Sequence, residues 1–547
     1  MKYALTVALM LSLSFGLITE SFRYQSTAFL WEDDYDLLFD PARIPEIDGV
    51  RLWTGLSNFV TGDEEIFADS GVPFFYIGGS GYRGDYYGGL VYDRSVIKDA
   101  LPTGLYDPNE NPIYGDANVM MTEWDFDPTT GDTLNRNVTT QTASAYDKVN
   151  TGDAYIAIAK EMEDLRIGLG YMRLNSKRTM TSPFENFTYE YFEEDYDADT
   201  LGYWEYEVFE GDRIFTNNEN DIIFSAWMDR DNYALGLQAV YGWLSMGEDG
   251  VINGSYEEYE HPEYQATDFY LATSIDSIMT KMSGTNMGID LKLFYDYNDD
   301  AQGRYFVGYF THSEDYGDDA MEWMFDASHE NDEFYNADYY DTTASAIYYE
   351  GGRSWSGFRI GTHQLYNIND VFNFGIGIMF TLGSVSSDTL IETDSSMDVS
   401  ATYEADTLTY KVTSMSSEAW FTTIDGSYKM IEIPVGAEFM ISNKLALRLG
   451  AVHTLNYNDV TTTRGLYDYQ FPTTYIEDPG GTDTTIVDYS DIDEDMWEET
   501  DNSTSANTDY YYGIGWHVND NLTIDLMNFN SLDNLSNWRL SATLRLD

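Results

Sequence analysis

A two-faced hairpin that recurs to the end of the chain constrains the fold more than any other feature. Ile431, Ile433, Val435, Ala437, Phe439 and Ile441 alternate with Glu432, Gly436 and Glu438. After Ser442-Asn443-Lys444, Leu445, Leu447, Leu449 and Ala451 alternate with Arg448 and Gly450. A period of two means strands with different surroundings on their two faces. Tyr233, Leu235, Leu237, Ala239, Tyr241 and Trp243 repeat the pattern with aromatics bracketing an aliphatic centre. So do Phe372 to Leu382 and Trp538 to Leu546. A soluble core explains one such stripe. Repeated in hairpin after hairpin, the stripe describes a sheet with lipid outside and water inside. Ten residues at ~3.3 Å, tilted about 40°, rise roughly 25 Å, the height of an apolar band between two aromatic girdles.

The connections sort by length. Turns of a few residues are expected at 83–85, 161–164, 229–232, 298–303, 367–370, 442–444 and 519–521. Between them lie the long stretches 94–153, 175–220, 246–286, 313–354, 383–427 and 457–508. Short turns on one rim and long loops on the other are the asymmetry of bacterial outer-membrane barrels. The sequence therefore predicts an all-β protein: a closed antiparallel transmembrane β-barrel of about 16 strands, 14 being the other count, with long acidic loops on one rim.

Charge and composition narrow the function. The 547 residues carry 28 Lys+Arg against 95 Asp+Glu, a net charge of −67, which repels nucleic acid and favours cations. The chain has no cysteine, so disulfides, thiolate metal sites and cysteine nucleophiles are excluded. Its 46 tyrosines favour ordered β structure over disorder. Lys2 followed by the apolar run Ala4 to Ile18 reads as an export signal, too short for an ordinary spanning helix. The expected organisation is a signal peptide over 1–21, an N-terminal periplasmic or plug segment over 22–48 with a short helix near Asp40-Pro41, and the barrel over 49–547.

The turn-and-strand segments 431–451, 510–528 and 538–546 resemble bacterial outer-membrane β-barrel (porin-like) proteins. Leu546-Asp547 departs from the aromatic residue with which such barrels usually end. Asp40-Pro41-Ala42 resembles the Asn-Pro-Ala segment of the long-chain fatty-acid transporter family, with Asp in place of Asn. That resemblance implies an N-terminal segment plugging the barrel. The partners it implies are outer-membrane lipid, small solutes and the barrel-assembly machinery; a homotrimer is one possible assembly.

The inward-facing charges are the candidate pore-lining residues: Arg166, Asp290, Lys292, Arg359, Glu432, Glu438, Arg448, Asp525 and Arg539. They either set the selectivity of an open pore or bridge one another in a filled one. Pairing of Ile441 with Leu445 would put Glu438 opposite Arg448, and reversing both charges together should then be tolerated better than reversing either. Asp491 to Asp495, and Asp195, Asp197 and Asp199, begin like calcium loops, but Met496 and Thr200 stand where glycine is needed. No cofactor is expected, although divalent cations could bind loosely on the loops. The six histidines show no catalytic or metal-binding spacing, so no enzyme is expected. The expected function is an outer-membrane channel for passive diffusion of small solutes, cation-preferring. The alternatives are a plugged transporter for hydrophobic compounds, or a non-transporting surface barrel whose acidic loops bind partners or divalent cations.

Overall fold

The alternating segments close into a ring. A computed structural model describes residues 19–57, 74–107, 110–126, 133–195, 200–260, 269–317, 320–332, 337–404, 407–489, 496–529 and 539–546. Residues 1–18 of the expected signal peptide, Asp197 and Asp199, Asp491 to Asp495, and Trp538 lie outside these residues. The strands begin with β1 (Val50–Ser57), β2 (Phe74–Arg83), β3 (Tyr86–Ala100), β4 (Pro102–Tyr106), β5 (Pro112–Phe126), β6 (Thr133–Met162), β7 (Leu165–Thr181) and β8 (Phe187–Asp195). They continue with β9 (Thr200–Arg230), β10 (Tyr233–Glu260), β11 (Phe269–Asn298), β12 (Ala301–Tyr316), β13 (Met321–Asp332), β14 (Ala337–Glu350) and β15 (Gly352–Asn369). The last are β16 (Phe372–Glu404), β17 (Thr407–Ser442), β18 (Leu445–Glu477), β19 (Thr484–Val487), β20 (Trp497–Asn519), β21 (Leu522–Phe529) and β22 (Arg539–Leu546).

Sixteen of these form a closed antiparallel barrel, in the order β1, β2, β3, β6, β7, β9, β10, β11, β12, β15, β16, β17, β18, β20, β21, β22. Closure runs from Val50 opposite Leu546 to Ser57 opposite Arg539. The ring leaves no edge and satisfies the backbone internally, the condition for crossing a membrane with strands. Outward residues near the turn rim are apolar and exposed, among them Leu90, Ile158, Leu235, Leu291, Val307 and Ile376. Tyr86, Tyr305 and Trp516 flank this belt toward the turns, and Tyr92, Tyr241 and Trp243 flank it on the other side. An exposed apolar belt between two aromatic girdles is a lipid-facing surface.

The turns are tighter than the sequence suggested. Each occupies two residues, such as Gly84-Asp85, Asp299-Asp300 and Asn443-Lys444. Gly84 has φ +64, which a tight turn requires and glycine adopts without strain. Ile441 does not pair with Leu445. Ser442 does, and a bulge at Ile441 absorbs the extra residue. Beyond the bulge the register is as expected, with Glu438 opposite Arg448.

The long connections are mostly not loops. β17 has 36 residues, roughly 120 Å of strand at ~3.3 Å per residue, several times the ~25 Å apolar band. The wall continues past the outer girdle, and additional strands widen it there. β5 pairs with β6, β8 lies between β6 and β9, β13 and β14 lie between β11 and β16, and β19 lies on β18. The segments 268–278, 342–349 and 403–413 belong to this outer wall where described.

Residues 19–48 are the non-strand part. They hold a one-turn helix (Phe22–Ser26) and two 3-10 turns, Asp36–Phe39 and Pro41–Glu46, which take the place of the short helix expected near Asp40-Pro41. Ser21 caps the helix, its Oγ accepting from Tyr24 N, and donates from N and Oγ to Asp36.

Candidate functional site

Residues 19–48 touch inner-face groups on all sixteen barrel strands, so they lie inside the lumen. Around the first quarter, Asp34 pairs with Arg51 of β1, and Tyr35 packs on Tyr76 of β2. Leu38 faces Gly89 of β3, and its carbonyl accepts from Tyr155 Oη of β6. On β7, Pro41 lies so close to Gly168 that no side chain fits there. Ala42 N donates to Ser225 Oγ of β9 at 2.7 Å. Gln238 of β10 donates to the Phe39 carbonyl, and Lys292 of β11 donates to Asp40. Arg304 of β12 donates to Glu32. Trp31 packs with Leu365 of β15 and over Gly375 of β16. Arg23 reaches Glu438 of β17, Ala28 covers Gly450 of β18, and Phe29 meets Tyr511 of β20 edge-on. The circuit closes with Met527 of β21, in the cluster with Leu38 and Ile44, and with Asp48 paired to Arg545 of β22.

Three charge networks fix this segment near the turn rim. In the first, Arg23 grips Glu438 with two bonds, Nη2 to Oε1 at 2.9 Å and Nε to Oε2 at 3.1 Å. Arg448 Nε donates to Glu438 Oε2 at 2.8 Å, and its Nη1 donates to Asp525 Oδ1 at 2.5 Å. Charges alternate along this buried chain, so each carboxylate is answered. In the second, Arg43 donates to Glu32 at 2.9 Å and to Glu46 at 3.1 Å, while Arg166 bridges Glu46 and Asp229. The Arg43 guanidinium also lies over the Trp227 and Phe294 rings. In the third, Asp40 Oδ2 accepts from Trp227 Nε1 at 2.8 Å and Lys292 Nζ at 3.1 Å.

Of the residues expected from sequence, Arg166, Lys292, Glu438, Arg448 and Asp525 are thus drawn together around the inner segment. Asp40, Pro41 and Ala42 each meet the wall. Asp290 and Arg359 pair with each other, Nε to Oδ1 at 2.9 Å. Glu432 and Arg539 are half-buried on the same inner face. The sequence reading missed Arg23, Glu32, Arg43, Glu46, Trp227 and Arg304. One available signal was the set of inner-face glycines: at 168, 436 and 450 the backbone of the inner segment approaches closely, and at 375 and 513 its side chains do.

Between the inner segment and the wall lies a cavity of about 600 Å³, lined by Arg23, Glu32, Arg304, Glu438 and Arg448 among others. Beyond the inner segment the lumen changes character. Met172, Leu174 and Val240 continue its apolar cluster, and Phe306, Phe310 and Met379 face inward farther round. These apolar groups form patches set between charged ones, since Asp221 and Glu219 stand opposite Met172 and Leu174, the Asp290–Arg359 pair lies between Phe306 and Phe310, and Glu432 stands opposite Met379.

A closed sixteen-stranded wall with a lipid-facing belt, short turns on one rim and long extensions on the other defines an outer-membrane-type β-barrel. The chain is similar in shape to the Ralstonia pickettii toluene transporter TbuX, with 10% identity over 96% of this chain and 98% of that one, at a TM-score of 0.32. It is likewise similar to a Pseudomonas aeruginosa FadL homologue, with 10% identity over 97% and 100% of the chains at 0.26. The ferric yersiniabactin uptake receptor FyuA from Yersinia pestis matches with 9% identity over 91% and 80%, at 0.25. These likenesses are too remote to transfer a residue's role. No family model and no curated protein matches the chain.

Proposed function

We propose that this chain is a plugged outer-membrane transporter for compounds with substantial apolar surface, with residues 19–48 as the plug. The observation that carries the reading is the contact of that segment with all sixteen strands, anchored by three charge networks. A passive pore for small polar solutes needs a continuous aqueous path, and the plug occupies the barrel where that path would leave. Lumen patches of Met172, Leu174 and Val240 and of Phe306, Phe310 and Met379, set between charged groups, favour a cargo with apolar surface and some polar groups over a fully hydrated one. The plug's ion pairs hold it by side chains alone, so it can shift without breaking the barrel ladder.

Deleting residues 25–45 tests this in planar bilayers. The intact chain should conduct ions poorly, and the deletion should open a large, steady conductance. Equal conductance from both would return the open-channel reading. Neither conductance nor uptake of a small aromatic compound into vesicles by the intact chain would favour a surface barrel that transports nothing.

A further inference from the structure

Asp221 of β9, Gly242 of β10 and Asn286 of β11 stand side by side in register on the inner face. Gly242 has no side chain, and the space its Cβ would take is entered from both sides by Asp221 Oδ1 and Asn286 Oδ1. Neither oxygen has a hydrogen-bond partner, and Asp221 is only 4% exposed. Two buried acceptors aimed at one point are unfavourable unless something positive stands between them. Turning the amide does not resolve this. Asn286 Nδ2 donates to Glu219; flipped, it would donate to Asp221 and set its oxygen against Glu219. The amide nitrogen can face only one of the two carboxylates, so in either orientation the amide oxygen is set against the other. The nearby bases are committed elsewhere: Arg353 donates to Glu314 at 2.6 Å, and His312 Nε2 lies 2.8 Å from the same carboxylate.

We propose that Glu219, Asp221 and Asn286 form a binding site for a hard divalent cation of the calcium class. The site lies on the lumen face of the wall at the level of the outer aromatic girdle, where Tyr241 and Trp243 flank Gly242 on the lipid side. Hard cations take oxygen ligands at about 2.3–2.6 Å, and lumen water completes the shell. Two carboxylates balance the charge and the amide oxygen adds a neutral donor. Among the described residues no three His, Cys, Asp or Glu side chains form a metal cluster. What distinguishes this set is the convergence over Gly242, not its acidity. The site uses wall residues alone, so it stands whether or not residues 19–48 act as a plug.

The experiment is calorimetric titration of calcium into the full chain in detergent, at about 0.5 M potassium chloride to screen the acidic exterior. One saturable site is expected above a weak background. Asp221→Asn should lower its affinity about tenfold or more, because ligand charge sets calcium affinity. Gly242→Ala should abolish it while keeping both carboxylates, by filling the space where the oxygens meet. Glu498→Gln with Glu499→Gln, on the exposed part of β20, should leave it unchanged. Migration of unboiled samples on a gel checks folding, and Asn286→Ala replaces Gly242→Ala if the latter does not fold. The proposal is overturned if the wild type shows no saturable site, or if Asp221→Asn binds calcium as the wild type does.

Discussion

At the residue scale, the pairing of Glu438 with Arg448 was legible because it needs only alternation and a turn. Its other two members were not. Arg23 is 415 positions from Glu438 and Asp525 is 77 from Arg448, and no local pattern carries such separations. The difference changes a prediction. For an isolated pair, reversing both charges should restore stability. Here Glu438→Arg with Arg448→Glu sets an arginine against Arg23 and a glutamate against Asp525, so the double reversal should be no better than either single one. Arg448→Met leaves Glu438 with Arg23 but strands Asp525, a loss of about 3–5 kcal/mol for a broken buried network. Arg448→Lys should recover little, since an ammonium cannot reproduce the two-armed geometry. Urea unfolding of the barrel in detergent measures all three; full rescue by the double reversal would disprove the four-member chain. On the other face, Leu449→Arg should cost about 2–4 kcal/mol if it lies near the bilayer midplane. A silent Leu449→Arg would mean the faces are inverted.

At the scale of elements, the hairpins next to the turns were readable and the outer wall was not. Alternation appears only where one face meets lipid. In the upper part of β20, Trp497 to Asn507 is exposed on both faces, so polar residues occupy both and the period disappears. Much of 383–427 in β16 and β17 is half-buried on both faces, with Ser, Thr and Asp on each, so composition alone marks it as loop. The inner segment was visible as a stretch without alternation, but its contacts with the wall were not. Its titration makes a prediction of its own. Burial pushes the Glu32 carboxyl up, yet Arg43 and Arg304 outweigh it and hold it down at about 2. That stabilisation is present above the ordinary value of 4.5 and is lost as pH falls toward 2. Asp33 and Asp36 move the other way: burial raises both, reinforced by the Asp525 charge for Asp33 and by Asp33 for Asp36. A raised carboxyl costs docking free energy once pH exceeds its ordinary 3.8, and the cost grows until the docked group ionises. The two effects together hold the plug hardest in acid solution, at about pH 4, and loosen it steadily toward pH 8. Plug-dependent opening events in bilayers should therefore be rarer at pH 5 than at pH 8, and Asp36→Asn should flatten the difference. More frequent opening at pH 5 in the wild type would contradict this balance.

At the scale of the molecule, closure and charge distribution set two behaviours. A closed ladder must break cooperatively, so unboiled protein in dodecyl sulfate should migrate differently from boiled protein; identical migration would be incompatible with the ring. The second behaviour concerns ions that pass once the plug is removed. The net charge is −67, and the outer wall carries much of it in stretches such as 321–332 and 337–350. The lumen near the turn rim is different, because its arginines and carboxylates cancel in pairs: Arg448 with Glu438 and Asp525, Arg359 with Asp290. Paired charges exert little field at a distance, whereas fixed negative charge around the outer mouth concentrates cations and repels anions over about 10 Å at 0.1 M salt. The barrel lacking residues 25–45 should therefore prefer potassium over chloride, and the preference should weaken as salt rises and the mouth is screened. That deletion removes Glu32, Asp34 and Asp40 along with Arg43 and so leaves Arg304, Arg51 and Lys292 without their carboxylates, which makes the lumen more positive and sets it against the mouth. Reversal potentials in a potassium chloride gradient, at low and high ionic strength, measure this directly. Chloride preference at low salt would assign control to the lumen arginines, and a preference independent of salt would place the selective charges deep in the lumen rather than at the mouth.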